Sequence, residues 1–403
     1  MSAALSAQTI ATVKATVPAL EAHGLDVVRA MYARMFENPM IRDLFNQSHH
    51  GDAGSQPKAL AVAILAYAKN IENLGAMASA VERIAQKHVG LQILPEHYPH
   101  VGAALLGAIG EVLGDAATAE VLAAWEEAYW FLANILIARE QRIYDDLAHA
   151  EGGWTGWRDF TVDAVVPESA IITSFILKPA DGGGVIRHRP GQYLTFWLEI
   201  PGEPPVKRNY SISSAPADDR YRISVKREPF GLASSWLHDH AVPGTVLKVA
   251  PPAGEFFLPT PLRRPVVLLS GGVGLTPMVS MLESIAERHR DHEVHFVHGT
   301  LDGSTHAMGP RVKALAAALP NLAVTTFYQA PRAEDRPGSD FDRAGIIDRE
   351  WLNRHTPLAE ADHYLCGPRP FLRTLVSALA LSGVPADRIH YEFFGPADEL
   401  LAA

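Results

Sequence analysis

The sequence predicts a multidomain chain in three parts: an all-α segment over 1–148, a small antiparallel β-barrel over 152–262, and an α/β doubly wound sheet over 263–403. Three observations carry this. Apolar residues recur at helical spacing through the first part. At Gly152-Gly153-Trp154 the pattern changes to short strand-like runs between Gly- and Pro-rich turns. From Pro265 strand-like and helical runs alternate, as in a parallel sheet covered by helices.

In the helical part, Leu60, Ile64, Tyr67, Ala68 and Ile71 share one face, as do Val81, Ile84, Ala85 and His88. Trp125, Tyr129, Leu132, Ile135, Leu136 and Ile143 extend the pattern to Asp145. Pro18, Pro39, Pro57, Pro95 and Pro99 belong at helix starts or in connectors. Expected barrel strands are Ile171–Leu177, Gln192–Ile200, Tyr221–Lys226 and Thr245–Val249, with Asp181-Gly182-Gly183-Gly184 a turn. The last part reads as strand Val266–Ser270, a helix from Pro277, strand Val294–His298, a helix over Val312–Leu319, strands Val324–Tyr328 and Tyr364–Cys366, and a helix Phe371–Ser382 stopped by Gly383.

The composition, 48% hydrophobic and 20% charged over 403 residues, is that of a globular protein with ample core. A net charge of -10 argues against a nucleic-acid partner. No apolar run approaches a membrane span, and Met1–Ile10 does not read as a secretory signal. The single cysteine, Cys366, excludes an intrachain disulfide and makes the cytoplasm the default.

Two segments carry the chemistry of the last two parts. Val266-Val267-Leu268-Leu269-Ser270 runs into Gly271-Gly272-Val273-Gly274-Leu275-Thr276-Pro277, a strand, a glycine turn and a helix start. There the backbone can approach a diphosphate and helix N–H groups can meet it. Arg208-Asn209-Tyr210-Ser211, read as a loop between strands, offers a guanidinium for phosphate, a flat ring and a hydroxyl. With Tyr364-Leu365-Cys366-Gly367-Pro368 these segments resemble the ferredoxin-reductase type of FAD- and NAD(P)H-binding module. By that resemblance Thr276 approaches the nicotinamide half of its cofactor. Tyr193, Arg208, Asn209, Tyr210 and Ser211 line the flavin, and Ser234 in Gly231-Leu232-Ala233-Ser234 meets its diphosphate. Glu392, Phe393, Phe394, Gly395 and Pro396 form the terminal segment against the flavin, with Phe393 where relatives often carry Cys. Cys366 has two readings, a contact beside the hydride path or a small buried hydrophobe. Tyr193 and Tyr210 taken singly would be barrel core.

In the helical part, Asn38-Pro39 precedes Phe45, and Ile84-Ala85-Gln86-Lys87-His88 places one histidine late on a helix. This resembles a globin. The resemblance implies haem b held non-covalently, with Phe45, Leu60 and Lys87 beside it and His88 as the iron ligand. With Ala7–Lys14 and Asn70–Leu74, the chain resembles the flavohaemoglobins throughout. That implies a nitric oxide dioxygenase converting NO and O2 to nitrate with electrons from NAD(P)H through FAD. Tyr32 would then donate to oxygen in the distal pocket with Gln56 as its companion, and Tyr98 and Glu140 would flank the histidine. Pro57 is expected to turn Gln56 out of helical geometry.

Other readings carry less. A gas sensor needs an output domain and an oxygen carrier needs no dedicated reductase, and a reductase whose helical part merely binds lipid or a partner protein would lack a Soret band beside its flavin absorbance. NO and O2 are the expected small-molecule partners; a dedicated partner protein is not expected, and lipid contact has no support in the residues. His292, His295 and His298 recur every third residue on a strand, which does not put them on one face. His49-His50 reads as a solvated loop. The absence of arginine after His298-Gly299-Thr300-Leu301 leans towards NADH.

Overall fold

A computed structural model describes residues 4–45 and 55–395. Contacts divide the chain into two compact units, Met1–His149 grouped with Pro204–Lys207, and Ala150–Glu203 with Arg208–Gly395. The position expected to end the barrel, 262, lies inside the second unit. His49-His50 and Pro396 fall outside the described residues.

The first unit is helical: α1 (Ala7–Ala15), α2 (Val17–Phe36), α3 (Pro39–Arg42), α4 (Ser55–Asn70), α5 (Ala78–Leu91), α6 (Tyr98–Leu113) and α7 (Ala119–His149). Its prolines open elements rather than interrupt them. Pro18, Pro39 and Pro99 lie in the first two positions of α2, α3 and α6, and Pro95 begins a 3-10 turn. α2 packs against α4 and α6, and α7 against α1, α5 and α6. The core between them is built on Val27, Val28, Met31, Ile41, Ala108, Ile109 and Trp125. Gln92 ends α5 in the left-handed region at φ 59, and its N–H donates to the last turn. α7 is long and apolar enough to cross a membrane by length and composition, at a mean hydropathy of 1.3, which the sequence pattern had not suggested. Here its Trp125, Ala128, Leu136 and Glu140 turn into the globular core.

The second unit holds two sheets. The antiparallel one contains β1 (Arg158–Pro167), β2 (Ile172–Pro179), β3 (Tyr193–Leu198), β4 (Val206–Ser211), β5 (Tyr221–Lys226) and β6 (Val246–Val249), ordered β4-β3-β6-β1-β2-β5. Just beyond β4, Ile212 makes an isolated antiparallel bridge to Ile223 of the other edge strand, β5. α8 (Leu232–His240) follows β5. The parallel sheet contains β7 (Val266–Gly271), β8 (Val294–Thr300), β9 (Leu322–Tyr328), β10 (Arg343–Ala344), β11 (Asp362–Cys366) and β12 (Ile389–Glu392), ordered β10-β9-β8-β7-β11-β12. α9 (Leu275–Arg288), α10 (Gly309–Ala318), α11 (Arg349–His355) and α12 (Arg369–Leu381) complete it. The chain runs outward from β7 to β10 and returns to start again at β11, so the order reverses between β7 and β11. A doubly wound sheet binds ligands in the crevice at such a reversal, beyond the carboxyl ends of the strands.

Three expectations need correction. Arg208–Ser211 is not a loop but the end of β4, where pairing with β3 satisfies its backbone. Gln56 is not turned out of the helix: α4 begins at Ser55, and Pro57 sits in a first turn that needs no donor from it. The helix after the glycine turn starts at Leu275, with Pro277 already in its first turn.

Candidate functional site

In the helical unit the sequence-selected residues fall into two groups. The first centres on His88 near the end of α5. Its Nδ1 lies 2.7 Å from Glu140 Oε1 and 3.1 Å from the Tyr98 hydroxyl. The Tyr98 hydroxyl donates to the same Glu140 oxygen at 2.6 Å. α6 and α7 deliver these groups, and Tyr129 fixes the approach by donating from its hydroxyl to the Tyr98 carbonyl at 2.6 Å. Glu140 is 2% exposed, while the His88 side chain is 31% exposed. Burial first, then the Glu140 charge, pushes the Tyr98 phenol well above its ordinary value, so it remains a donor. With Nδ1 engaged, Nε2 is the nitrogen that can take a metal.

The second group surrounds Tyr32 on α2. Tyr32 packs on Phe36 at 5.4 Å and edge-on to Phe45 at 5.6 Å between ring centroids. Leu60 of α4 joins the same apolar cluster. Burial raises the Tyr32 phenol, keeping it protonated and able to donate. Gln56, on the first turn of α4, is half-buried, and its Oε1 is buried with no hydrogen-bond partner in the protein. A buried orphan acceptor is costly unless a ligand or water answers it. That orphan, and an imidazole with one nitrogen already fixed, fit a haem held by His88. Lys87 precedes His88 and is half-buried.

In the second unit, Tyr193 opens β3 with its hydroxyl buried and unpartnered, and Tyr210 packs edge-on to Phe196 at 5.6 Å. Burial lowers Arg208 below its ordinary value. The Asn209 side-chain Oδ1 accepts from the Thr195 hydroxyl at 2.9 Å, and Ser211 is buried at the end of β4. Before α8, a Cβ on Gly231 would lie 2.5 Å from Ser234 Oγ. Ser234 Oγ accepts from Glu228 N at 3.1 Å, so only glycine leaves this turn open. The unpartnered Tyr193 hydroxyl and this glycine cradle fit a flavin nucleotide. Glu392 ends β12; Phe393 and Gly395 are half-buried, and Phe394 is exposed.

At the sheet reversal, Gly271 ends β7 and Gly272-Val273-Gly274 form a 3-10 turn into α9. Gly272 has φ 54 with nothing near its missing Cβ, which leaves room for a ligand backbone approach. A Cβ on Gly274 would lie 2.1 Å from the Cys366 carbonyl, so glycine is what lets α9 sit against β11. Leu275 is buried, and Thr276 Oγ1 donates to the Val273 carbonyl at 3.0 Å. Cys366 is fully buried within the core. Burial raises its thiol above the ordinary value. Of the two readings of Cys366 the structure favours the buried hydrophobe, because a side chain with no accessible surface offers no ligand contact. His292 bonds the Arg264 carbonyl, His295 bonds Glu293 and His298 bonds Ser270, so the three histidines do not converge.

Asp302, which sequence reasoning did not single out, follows β8. Its Oδ1 accepts from the Ser304 hydroxyl at 2.6 Å, Ser304 N at 2.9 Å and Thr305 N at 3.2 Å, and these bonds lower its carboxyl below the ordinary value. An acidic residue after the second strand of such a sheet was the available signal.

Comparisons with known proteins agree with this division. A family model described as Globin matches residues 29–136, and one described as Oxidoreductase NAD-binding domain matches residues 268–377. The class is therefore an oxidoreductase in which a globin and a nicotinamide-dependent reductase share one chain. The chain is 56% identical to the flavohemoprotein of Xylella fastidiosa strain 9a5c over the full length of both. It is 47% identical to that of Bordetella pertussis, over 97% of this chain and 98% of that one. It belongs to the flavohemoprotein family. Among solved structures, a flavohemoglobin of Malassezia yamatoensis with bound FAD and haem superposes at a TM-score of 0.87, with 25% identity over 98% of this chain and all of that one. The FAD/NAD-binding domain of a nitric oxide dioxygenase from Vibrio cholerae matches at 0.55, with 36% identity over 59% of this chain and 99% of that one.

Proposed function

We propose that the protein is a nitric oxide dioxygenase that binds haem b in the helical unit and FAD with a nicotinamide in the second unit. The observation that carries this is the His88 imidazole held by both Glu140 and Tyr98 in a chain that contains its own reductase. Haem supplies the iron at which NO and O2 combine with one electron to give nitrate, and FAD supplies single electrons from a two-electron hydride donor.

The residues do the rest. Glu140 makes His88 a stronger donor by accepting its Nδ1 proton, and Tyr98 fixes the carboxylate in place. Tyr32 keeps its proton and presents it to oxygen, while Phe45 and Leu60 exclude water. Gln56 offers its unpartnered side-chain Oε1 from the distal side. Arg208 would hold flavin phosphate, Tyr193 and Tyr210 would lie along the flavin, and Ser234 would serve the diphosphate. Gly272-Val273-Gly274 and the start of α9 receive the nicotinamide diphosphate. Asp302, which follows β8 and whose carboxyl is held below its ordinary value, would disfavour a 2′-phosphate were the cofactor's ribose bound after that strand, which leans towards NADH. Because donor and acceptor modules share the chain, NO, O2 and NADH suffice as partners, and the cytoplasm suits an enzyme that draws on NADH.

The test is NADH consumption by the haem- and FAD-loaded protein under air, with and without NO. A sharp Soret band together with consumption that rises on NO addition and yields stoichiometric nitrate is expected. A wild-type protein that carries both chromophores but does not turn over NO overturns the reading.

A further inference from the structure

α9 begins where the nicotinamide diphosphate is read to sit, yet two of its later residues reach into the antiparallel sheet. Ser280 and Glu283, three apart and so on one face, both contact the segment Ser213-Ser214-Ala215, which follows Arg208–Ser211 after Ile212. The Ser280 hydroxyl donates to the Ser214 carbonyl at 2.6 Å. Glu283 Oε2 accepts from Ala215 N at 3.0 Å. Glu283 Oε1 accepts from Arg222 Nη2 and from Arg311 Nε, each at 2.9 Å. Arg222 stands on β5, and its guanidinium also bonds the Ser213 carbonyl and, at 3.2 Å, the Ser213 hydroxyl. His188 closes the group: its Nε2 lies 3.1 Å from the Ser214 carbonyl and 3.3 Å from Ser280 Oγ. Burial holds that imidazole at about 3, so it carries no charge that would compete with the two arginines for Glu283.

Glu283 is 4% exposed and Ser280 fully buried. A carboxylate taken so far out of water persists only when its oxygens are answered, and here three donors from three separate elements do so. Breaking the set by removing one charge strands the rest. The group therefore locks helix to strand as one piece instead of letting two packed sheets slide.

We infer that Glu283 and Ser280 are positioning residues for hydride transfer: they tie the helix that receives the nicotinamide diphosphate to the strand that presents Tyr210 to the flavin. The inference rests on the proposed reductase reading. Through Ser213–Ala215 the position of α9 is transmitted to Tyr210, three residues before Ser213. Displacing that strand changes the distance and tilt between the two rings, and hydride transfer tolerates little misplacement.

The experiment uses the full-length protein loaded with FAD and haem. Glu283→Gln keeps volume and removes charge; Ser280→Ala removes one hydroxyl and is the milder variant should the first fold poorly. Three quantities are read: flavin reduction by NADH in stopped flow at 450 nm, visible circular dichroism of the bound flavin, and NAD+ affinity by calorimetry. In Glu283→Gln, flavin reduction at saturating NADH slows roughly tenfold, the flavin dichroism changes, and NAD+ affinity stays within about threefold, since a tenfold rate loss is the scale of one misplaced interaction. Ser280→Ala shows the same pattern, smaller. Unchanged flavin reduction and unchanged dichroism in folded, FAD-replete variants overturn the inference, whatever their melting temperature. If wild type itself fails to reduce its flavin with NADH, the reductase reading fails instead, and the two failures are told apart by that control.

Discussion

Replacing Glu140 with glutamine tests the proximal triad most directly. The side chain keeps its volume but loses its charge. Glu140 accepts from Tyr98 at 2.6 Å and contacts His88 Nδ1 at 2.7 Å. Hydrogen bonds to a charged group contribute about 1.5–3 kcal/mol, against about 0.5–1.5 kcal/mol for neutral ones, so each bond loses about 1 kcal/mol. Two bonds put the loss of helical-unit stability at about 2 kcal/mol, readable as a lower urea midpoint with an unchanged slope. The second effect is electronic. A histidine whose Nδ1 proton is drawn to a carboxylate favours the ferric state; without the charge that preference falls by about 1 kcal/mol, or about 40 mV for a one-electron couple. Spectroelectrochemical titration of the Soret band should show the ferric/ferrous midpoint rising by that order. A midpoint and a urea transition both unmoved in Glu140→Gln would refute the account of His88, Tyr98 and Glu140 as one unit.

Four further outcomes are expected. His88→Ala should retain flavin and lose most of its haem, and an unchanged ferrous spectrum would move the iron ligand elsewhere. Tyr32→Phe removes a donor worth about 1.5–3 kcal/mol against a partly charged acceptor, so O2 should dissociate at least several-fold faster while CO changes less; equal effects on both gases would indicate steric control. Gly274→Ala drives a methyl into the Cys366 carbonyl 2.1 Å away and should abolish NADH binding while dithionite still reduces the haem, a prediction that fails if NAD+ affinity is retained. Burial holds His188 and His298 at about 3 in the folded state, against about 6.5 when unfolded. Below pH 6.5 the unfolded chain binds protons the fold refuses, so stability should fall as pH drops from 6.5 towards 3, by about 1.4 kcal/mol per pH unit for each histidine; urea midpoints equal at pH 7 and pH 5 would contradict this.

How far the sequence spoke depended on the range of the interaction. The strands Tyr221–Lys226 and Val266–Gly271 were legible because burial on alternating or both faces writes itself into neighbouring residues. β1 and β12 were missed: Arg158–Pro167 mixes charge with apolar residues, and Ile389–Glu392 is half-exposed, so neither shows a clean period. Arg208–Ser211 looked like a loop because its side chains are polar, yet backbone pairing holds it in β4. Glu140 and Tyr98 carry no local mark; only likeness to known globins singled them out, since their meeting at His88 is made by three separate helices. Glu283 was invisible for the same reason, its donors coming from Ala215, Arg222 and Arg311.

Cys366 has a consequence for durability. It is the only sulfhydryl in 403 residues, and it has no accessible surface. Nitrosating and oxidising species attack thiolates that solvent can reach, and burial keeps this one protonated as well as enclosed. On the proposed function, the protein works where NO and O2 meet, and their reaction in solution generates such species. This chain presents them with no thiol on its surface, so its working life under nitrosative stress should be set by loss of haem or flavin and not by damage to cysteine.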